Sequence, residues 1–427
     1  MSGKYPRIAR VRQTIPSPRL KDVAGAVEGG LANLNLKERV IPGQTVAVTA
    51  GSRGIADVSA VIRAVAAHLR ALGAVCYVAP AMGSHGGATA DGQRRVLEGL
   101  GITEAAVGAP VRSSMDTDAV GESRFGVPVF CGRDFTGADH VVVVNRVKPH
   151  TSFRGSVESG LLKMTVLGMG KAEGARQAHR LFLRHGFEPV LRDLAGVVLG
   201  RLSVLCGVAL VENRLEQIAH VEVCEKARFY EVDRSLLAEA RRLMGRIPFS
   251  DVDLLIVDEM GKDVSGSGMD SNVTGRIFHQ ATPEPEKRQF RRIYVRNLTQ
   301  ETEGNALGVG TADFVSRRLV DQIDPEKTRI NCITATVPEK GRIPIAYDRD
   351  DHAVRNALSS AGVSDPATAR LVWIRNTLSL DRFWISEALC REAAGKDGLS
   401  LQTGLFELPF DDDGNLSPGS IRTANRA

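Results

Sequence analysis

The sequence predicts two α/β domains with mainly parallel sheets, and three observations predict it. Short runs of Val, Ile and Ala recur along the chain. They alternate with amphipathic helical segments, and most are apolar throughout, as strands covered on both faces must be. A length of 427 residues exceeds one ordinary core and points to two domains.

The elements follow in order. QTVAVTA (44–50) is the first expected strand, and Val58, Val61, Val65, Leu69 and Leu72 then recur at helical spacing over 57–72. AVCYVAP (74–80) is a second strand, followed by a helix beginning near Thr89, a good N-cap residue. VPVFCG (127–132) and DHVVVVN (139–145) add strands, SVLCGVALVEN and IAHVEVCE extend the sheet, and a charged helix near 232–244 closes a first domain over 1–247. A second domain is expected over 248–410. Its strands are VDLLIVDEM (252–260), RRIYVRNL (291–298), RINCITAT (329–336) and ARLVWIRNT (369–377), with a helix from NALGVGTADFVSRRLVDQI. Residues 411–427 read as a disordered tail.

Composition narrows the function. The net charge of +5 comes from 55 basic and 50 acidic residues, too dilute for a nucleic-acid surface but modestly favourable to an anionic substrate. No apolar run approaches the roughly 20 residues that span a bilayer, and the basic N-terminus lacks the apolar core of a secretion signal. Six cysteines without a CxxC pair read as reduced thiols of a cytoplasmic protein, not as a zinc or iron–sulfur site.

Four segments lie just past expected strands: AGSRG (50–54), MGSHGG (82–87), NRVKPHTS (145–152) and EMGKDVSGSG (259–268). Ligands of open α/β sheets bind beyond the carboxyl ends of the strands. The first three are expected to share a crevice that the fourth approaches from the second domain, with the active site in the cleft between the domains. Arg53 offers a paired-donor fork suited to a carboxylate, or is a solvated surface arginine. His85 and His150 are candidate proton carriers, because imidazole titrates near neutral pH.

Lys163 sits between Leu162 and Met164, where an amine is paired, neutralised, used as a nucleophile or snorkels to the surface. In GMGKAEG, Gly168 and Gly170 could turn backbone amides toward a phosphate, although the run matches neither the P-loop nor GxGxxG. His179 is a candidate metal ligand that needs further donors from a cofactor.

The ordered set AGSRG, GSHGGAT, RVKPHTSF, the lysine of GLLKMTVLG and the histidine of ARQAHR resembles the nickel-pincer nucleotide-dependent lactate racemase family, across about residues 45–180. The resemblance implies a racemase or epimerase of a small-molecule 2-hydroxy acid, and the departures below point to a divergent homologue acting on an acid other than lactate. It also implies a nickel-pincer nucleotide tethered to Lys163, nickel ligation by His179, acid/base roles for His85 and His150, and substrate contact by Arg53. Cofactor-synthesis proteins are implied as partners.

Ala50 stands where the family carries an aspartate. The motif GKDVSGSGMDSNVTGR (261–276) is not one associated with lactate enzymes; its Lys262, Asn272 and Arg276 are candidates for contacting a more polar substrate such as a sugar acid, or Asp270 and Asn272 simply build a turn. Two alternatives stay open: a nicotinamide-dependent hydroxy-acid oxidoreductase, although no GxGxxG follows the first strand, and a non-catalytic protein that binds a ligand or metallocentre.

Overall fold

The structure, a computed structural model, describes residues 5–280 and 282–417. The chain divides into two compact units: Ser17–Met244, and the described residues before Ser17 together with those from Gly245 onward. The first strand, β1 (Ile8–Gln13), belongs to the second unit.

The unit Ser17–Met244 is built on a five-stranded sheet. Its strands are β2 (Thr45–Ala50), β3 (Val75–Pro80), β6 (His140–Arg146), β7 (Val204–Glu212) and β8 (Ile218–Cys224), in the order β3-β2-β6-β7-β8. All neighbours are parallel except β7 and β8. Alternation along β6 explains its burial: Val141 and Val143 enter one apolar layer, Val142 and Val144 the other. The helix Val58–Ala71 covers one face, and the helices Lys171–His185, Phe187–Arg201 and Phe229–Leu243 supply apolar residues to the other. VPVFCG does form a strand, β5 (Pro128–Gly132), but it pairs in a separate hairpin with β4 (Thr117–Glu122).

In the sheet order the chain moves from β2 to β3 on one side and later enters β6 on the other. The loops after β2 and β6 therefore diverge from adjacent strand ends, the arrangement that opens a crevice in this class of sheet.

The second unit carries an eight-stranded sheet ordered β12-β11-β10-β9-β13-β14-β1-β15. Here β9 is Val252–Met260, β10 Phe290–Leu298, β11 Phe314–Ser316, β12 Ile345–Tyr347, β13 Leu371–Ile374, β14 Arg382–Ser386 and β15 Leu399–Leu401. Strands β9 to β13 are mutually parallel, while β14, β1 and β15 add antiparallel pairings.

Two sequence expectations are corrected here. Residues 329–336 are not a strand but lie largely in the helix Pro325–Thr334, which Asp324 caps and Pro325 starts. The stretch 305–323 is not one helix: it turns at Val309–Thr311, extends through β11 and becomes helical only at Arg317–Asp321.

Of the tail expected to be disordered, residues 418–427 lie outside the described residues. Asp411–Ser417 are ordered, with Leu416 buried and its amide donating to Asp350 Oδ2 at 2.9 Å. Among the described residues no helix is long and apolar enough to cross a membrane.

Candidate functional site

Three loops at the carboxyl ends of β2, β3 and β6 meet the segment Gly160–Gly170 within the unit Ser17–Met244. Gly51, just past β2, lies so close to that segment that an added Cβ would stand 3.1 Å from Met164 Cε. Gly83, past β3, has φ +58° and would place a Cβ 3.2 Å from the Leu167 carbonyl, so only glycine suits this approach. Near the end of β6, Asn145 Nδ2 donates to the Gly160 carbonyl at 2.7 Å.

Lys163 rides on a short helix whose start is fixed by Asp233. This buried carboxylate accepts from the Leu161 and Leu162 amides at 2.8 and 2.9 Å. Burial pushes the Asp233 carboxyl up to about 7, against the pull of the two amides. A single π-helical turn follows at Met164–Gly168, a distortion often found at functional sites. Leu161, Leu162 and Met164 are buried, so Lys163 is the half-buried member of its turn.

The Lys163 Nζ donates to Ser159 Oγ at 3.3 Å. Its amine is lowered from 10.5 to about 7, first by burial, then by the positive charges of Arg53 and Lys148, with Glu158 opposing. A large fraction of this amine is therefore uncharged at neutral pH, as a nucleophile requires.

Arg53 keeps an exposed side chain, yet crowding by protein and the charge of Arg146 hold its guanidinium below its ordinary range. Next to it, Ser52 Oγ is hydrogen-bonded to His85 Nδ1. A hydroxyl serves as donor or acceptor, so this contact is compatible with either tautomer of the neutral His85 ring.

His150 is held differently. Its Nδ1 accepts from the amides of Ser152 and Phe153 at 3.0 and 3.3 Å, which assigns the proton of the neutral ring to Nε2. Its own amide donates to Glu158 Oε2 at 2.5 Å, and Arg241 reaches the other oxygen of that buried carboxylate at 2.7 Å. The His150 ring stacks on Phe153 with centroids 4.7 Å apart, and His179 stands 6.0 Å from the same phenyl ring. Phe182 and Phe187 pack on Phe153 at 5.3 and 4.4 Å, so both imidazoles rest against one rigid aromatic wall.

Among the residues expected from sequence, His150 and His179 thus share the Phe153 ring, His85 is bonded to Ser52 beside Arg53, and Lys163 feels the charge of Arg53. The glycines do not serve as expected. Gly168 and Gly170 are buried, an added Cβ would lie 2.4 Å from Met164 Sδ or from the Val166 carbonyl respectively, and the Gly170 amide donates to Val166. They allow close packing and leave no amide cradle there for a phosphate.

In the second unit, Arg276 is buried and bound to Asp313 at 2.8 Å and to backbone carbonyls, so its guanidinium serves the fold rather than a substrate. Asn272 is bonded through backbone and side chain to Asp270, as the turn reading anticipates. Lys262 Nζ reaches the Gly266 carbonyl and Asn331 at 3.0 and 3.2 Å. Sequence reasoning missed Ser52, Phe153, Glu158 and Asp233, each of which acts through a histidine or lysine that it did identify.

The nickel group implied by the resemblance can be tested against these residues. Among the described residues, no group of three or more His, Cys, Asp and Glu side chains is arranged to hold a metal. A metal at His179 would have to bring its remaining donors with it, and the partly uncharged Lys163 amine is chemically suited to a covalent link. The residues fit a tethered metallocofactor better than a bare ion.

Comparison with known proteins adds to this geometry. Residues 50–223, less than half of the chain, match the model of a domain of unknown function, DUF362. The chain is also similar to the lactate racemase apoprotein from Thermoanaerobacterium thermosaccharolyticum, with a TM-score of 0.55 and 12% identity over 86% of this chain and 94% of that one. No curated protein matches by sequence. The likeness shows that the chain has the fold of that racemase apoprotein.

Proposed function

We propose that the protein is an isomerase that racemises or epimerises a 2-hydroxy acid, using a nickel-pincer nucleotide linked to Lys163. The observation that carries this reading is the partly uncharged Lys163 amine beside the positive charges of Arg53 and Lys148, and the Ser52–His85 bond and the Phe153 ring shared by His150 and His179 support it. The shared fold with a lactate racemase apoprotein supports it.

Hydrogen α to a carboxylate is a very weak acid, and an imidazole alone does not remove it. When bound, the nucleotide supplies an electron-poor acceptor for that hydrogen. The chain's own residues do the rest. Arg53 pairs with the substrate carboxylate. His85 takes the hydroxyl proton at Nε2 in the tautomer in which its Nδ1 donates to Ser52. His150, with Nδ1 occupied by two amides, donates a hydrogen bond from Nε2 and supplies the second polar wall. Lys163 provides the covalent anchor and His179 one nitrogen ligand.

The test is made on protein purified from cells that synthesise the cofactor. Intact-protein mass spectrometry is expected to find an adduct on Lys163, elemental analysis to find nickel, and 2-hydroxy acids to exchange α-hydrogen for deuterium. A protein without adduct or nickel, whose Lys163→Ala variant matches the wild type on those acids, would refute the reading.

A further inference from the structure

Lys171, the first residue of the helix Lys171–His185, is completely buried and has φ +53°, a conformation that non-glycine residues rarely adopt. Its ammonium has three donors, and three acceptors surround it. Nζ lies 2.7 Å from the Pro80 carbonyl at the end of β3, 3.2 Å from Asp134 Oδ2 and 3.4 Å from Gln93 Oε1. Gly132 makes room for the stem, since a Cβ there would stand 2.8 Å from Lys171 Cε.

The contact with Gln93 has a consequence for the His85 loop. Lysine only donates, so the fully buried Gln93 must turn its carbonyl oxygen toward Lys171. Its Nε2 is then forced the other way, where it donates to the Gly83 carbonyl at 2.9 Å and the His85 carbonyl at 3.4 Å. Lys171 also opens the helix Lys171–His185, which carries His179, and Gly83 would place a Cβ 3.3 Å from Ala175 Cβ of that helix.

We propose that Lys171 and Gln93 are positioning residues: together they lock the loop bearing His85 against the helix bearing His179. The catalytic consequence rests on the role given to His85 above, while the mechanical coupling does not. A misplaced His85 would lower kcat more than it raises KM, because Arg53 still binds the carboxylate.

Gln93→Glu separates positioning from general stability. It keeps an oxygen facing Lys171, and strengthens that contact, but it replaces the donor to Gly83 and His85 by a second oxygen. Hydrogen exchange with mass spectrometry is expected to show amides of 82–88 exchanging roughly tenfold faster, as loss of one or two hydrogen bonds predicts. Residues 171–185 should exchange as in the wild type.

The His85 ring signals, assigned by their absence in His85→Gln, should move in a 15N-histidine spectrum. Gln93→Met keeps the volume without the charge and serves the same test if the glutamate variant does not fold. Unchanged exchange over 82–88 and an unmoved His85 signal in either folded variant would overturn the proposal. Neither measurement needs cofactor or substrate, so this result stands apart from the fate of the functional reading.

Discussion

An amine that titrates near 7 instead of 10.5 changes what Lys163 can do at physiological pH. Close to half of it is unprotonated at pH 7, against roughly one part in three thousand for an ordinary lysine. Reductive methylation with 13C-formaldehyde, followed by NMR titration of the Lys163 signal, reads the midpoint directly. Burial is its main cause, with Arg53 and Lys148 next. Two like charges several ångströms apart in a water-like dielectric interact by roughly 0.5–1 kcal/mol. Arg53→Gln should therefore raise the midpoint by only about half a unit, and high salt should do part of the same.

The effect on stability has a definite sign. Between pH 7 and 10.5 the unfolded chain binds this proton and the folded chain does not. Stability from Lys163 therefore rises with pH across that window and is flat below it, and Lys163→Met should remove the slope. A midpoint at the ordinary lysine value would refute the reasoning and leave the residue an inert surface amine.

Two further outcomes follow from contacts in each unit. In the second unit the fully buried Asp350 accepts from Tyr294, Arg296, Arg318 and the Leu416 amide. Asp350→Ala should cost about 3–5 kcal/mol in urea unfolding of the domain transition, because it removes the buried acceptor shared by Tyr294, Arg296 and Arg318 and leaves Arg296 with Asp258 as its one carboxylate partner, and a loss below about 1 kcal/mol would contradict that account. For His150, 15N spectra of the unprotonated ring are expected to show the proton on Nε2. A proton on Nδ1 would mean that the Ser152 and Phe153 amides do not hold the ring.

Much of the fold was legible, and the failures have physical causes. Strands such as β2, β3 and β6 announce themselves because both of their faces are covered, leaving unbroken apolar runs. Residues 329–336 misled because Ile330, Cys332 and Ile333 look like a strand, although the exposed Ile330 and Ile333 contribute little to the core. The Asp324–Pro325 start signal was present and outweighed them. Gly308 and Gly310, which break the expected helix over 305–323, were equally visible.

The pairing of β1 with β14 was not legible, because local pattern carries no information about a partner more than 360 residues away. In the site, the loop residues after strands could be found by position. Lys171 could not, since its burial depends on Asp134, Gln93 and Pro80 from three other segments.

The placement of β1 also dictates an order of events during synthesis. Its sheet neighbour Arg382–Ser386 leaves the ribosome roughly 20–75 s after Ile8–Gln13, at typical elongation rates. Meanwhile Ser17–Met244 can emerge and fold in full as a continuous insert. For that interval the strand carrying Ile8, Ala9 and Val11, all buried in the finished sheet, waits without its partner and leaves an unpaired edge exposed.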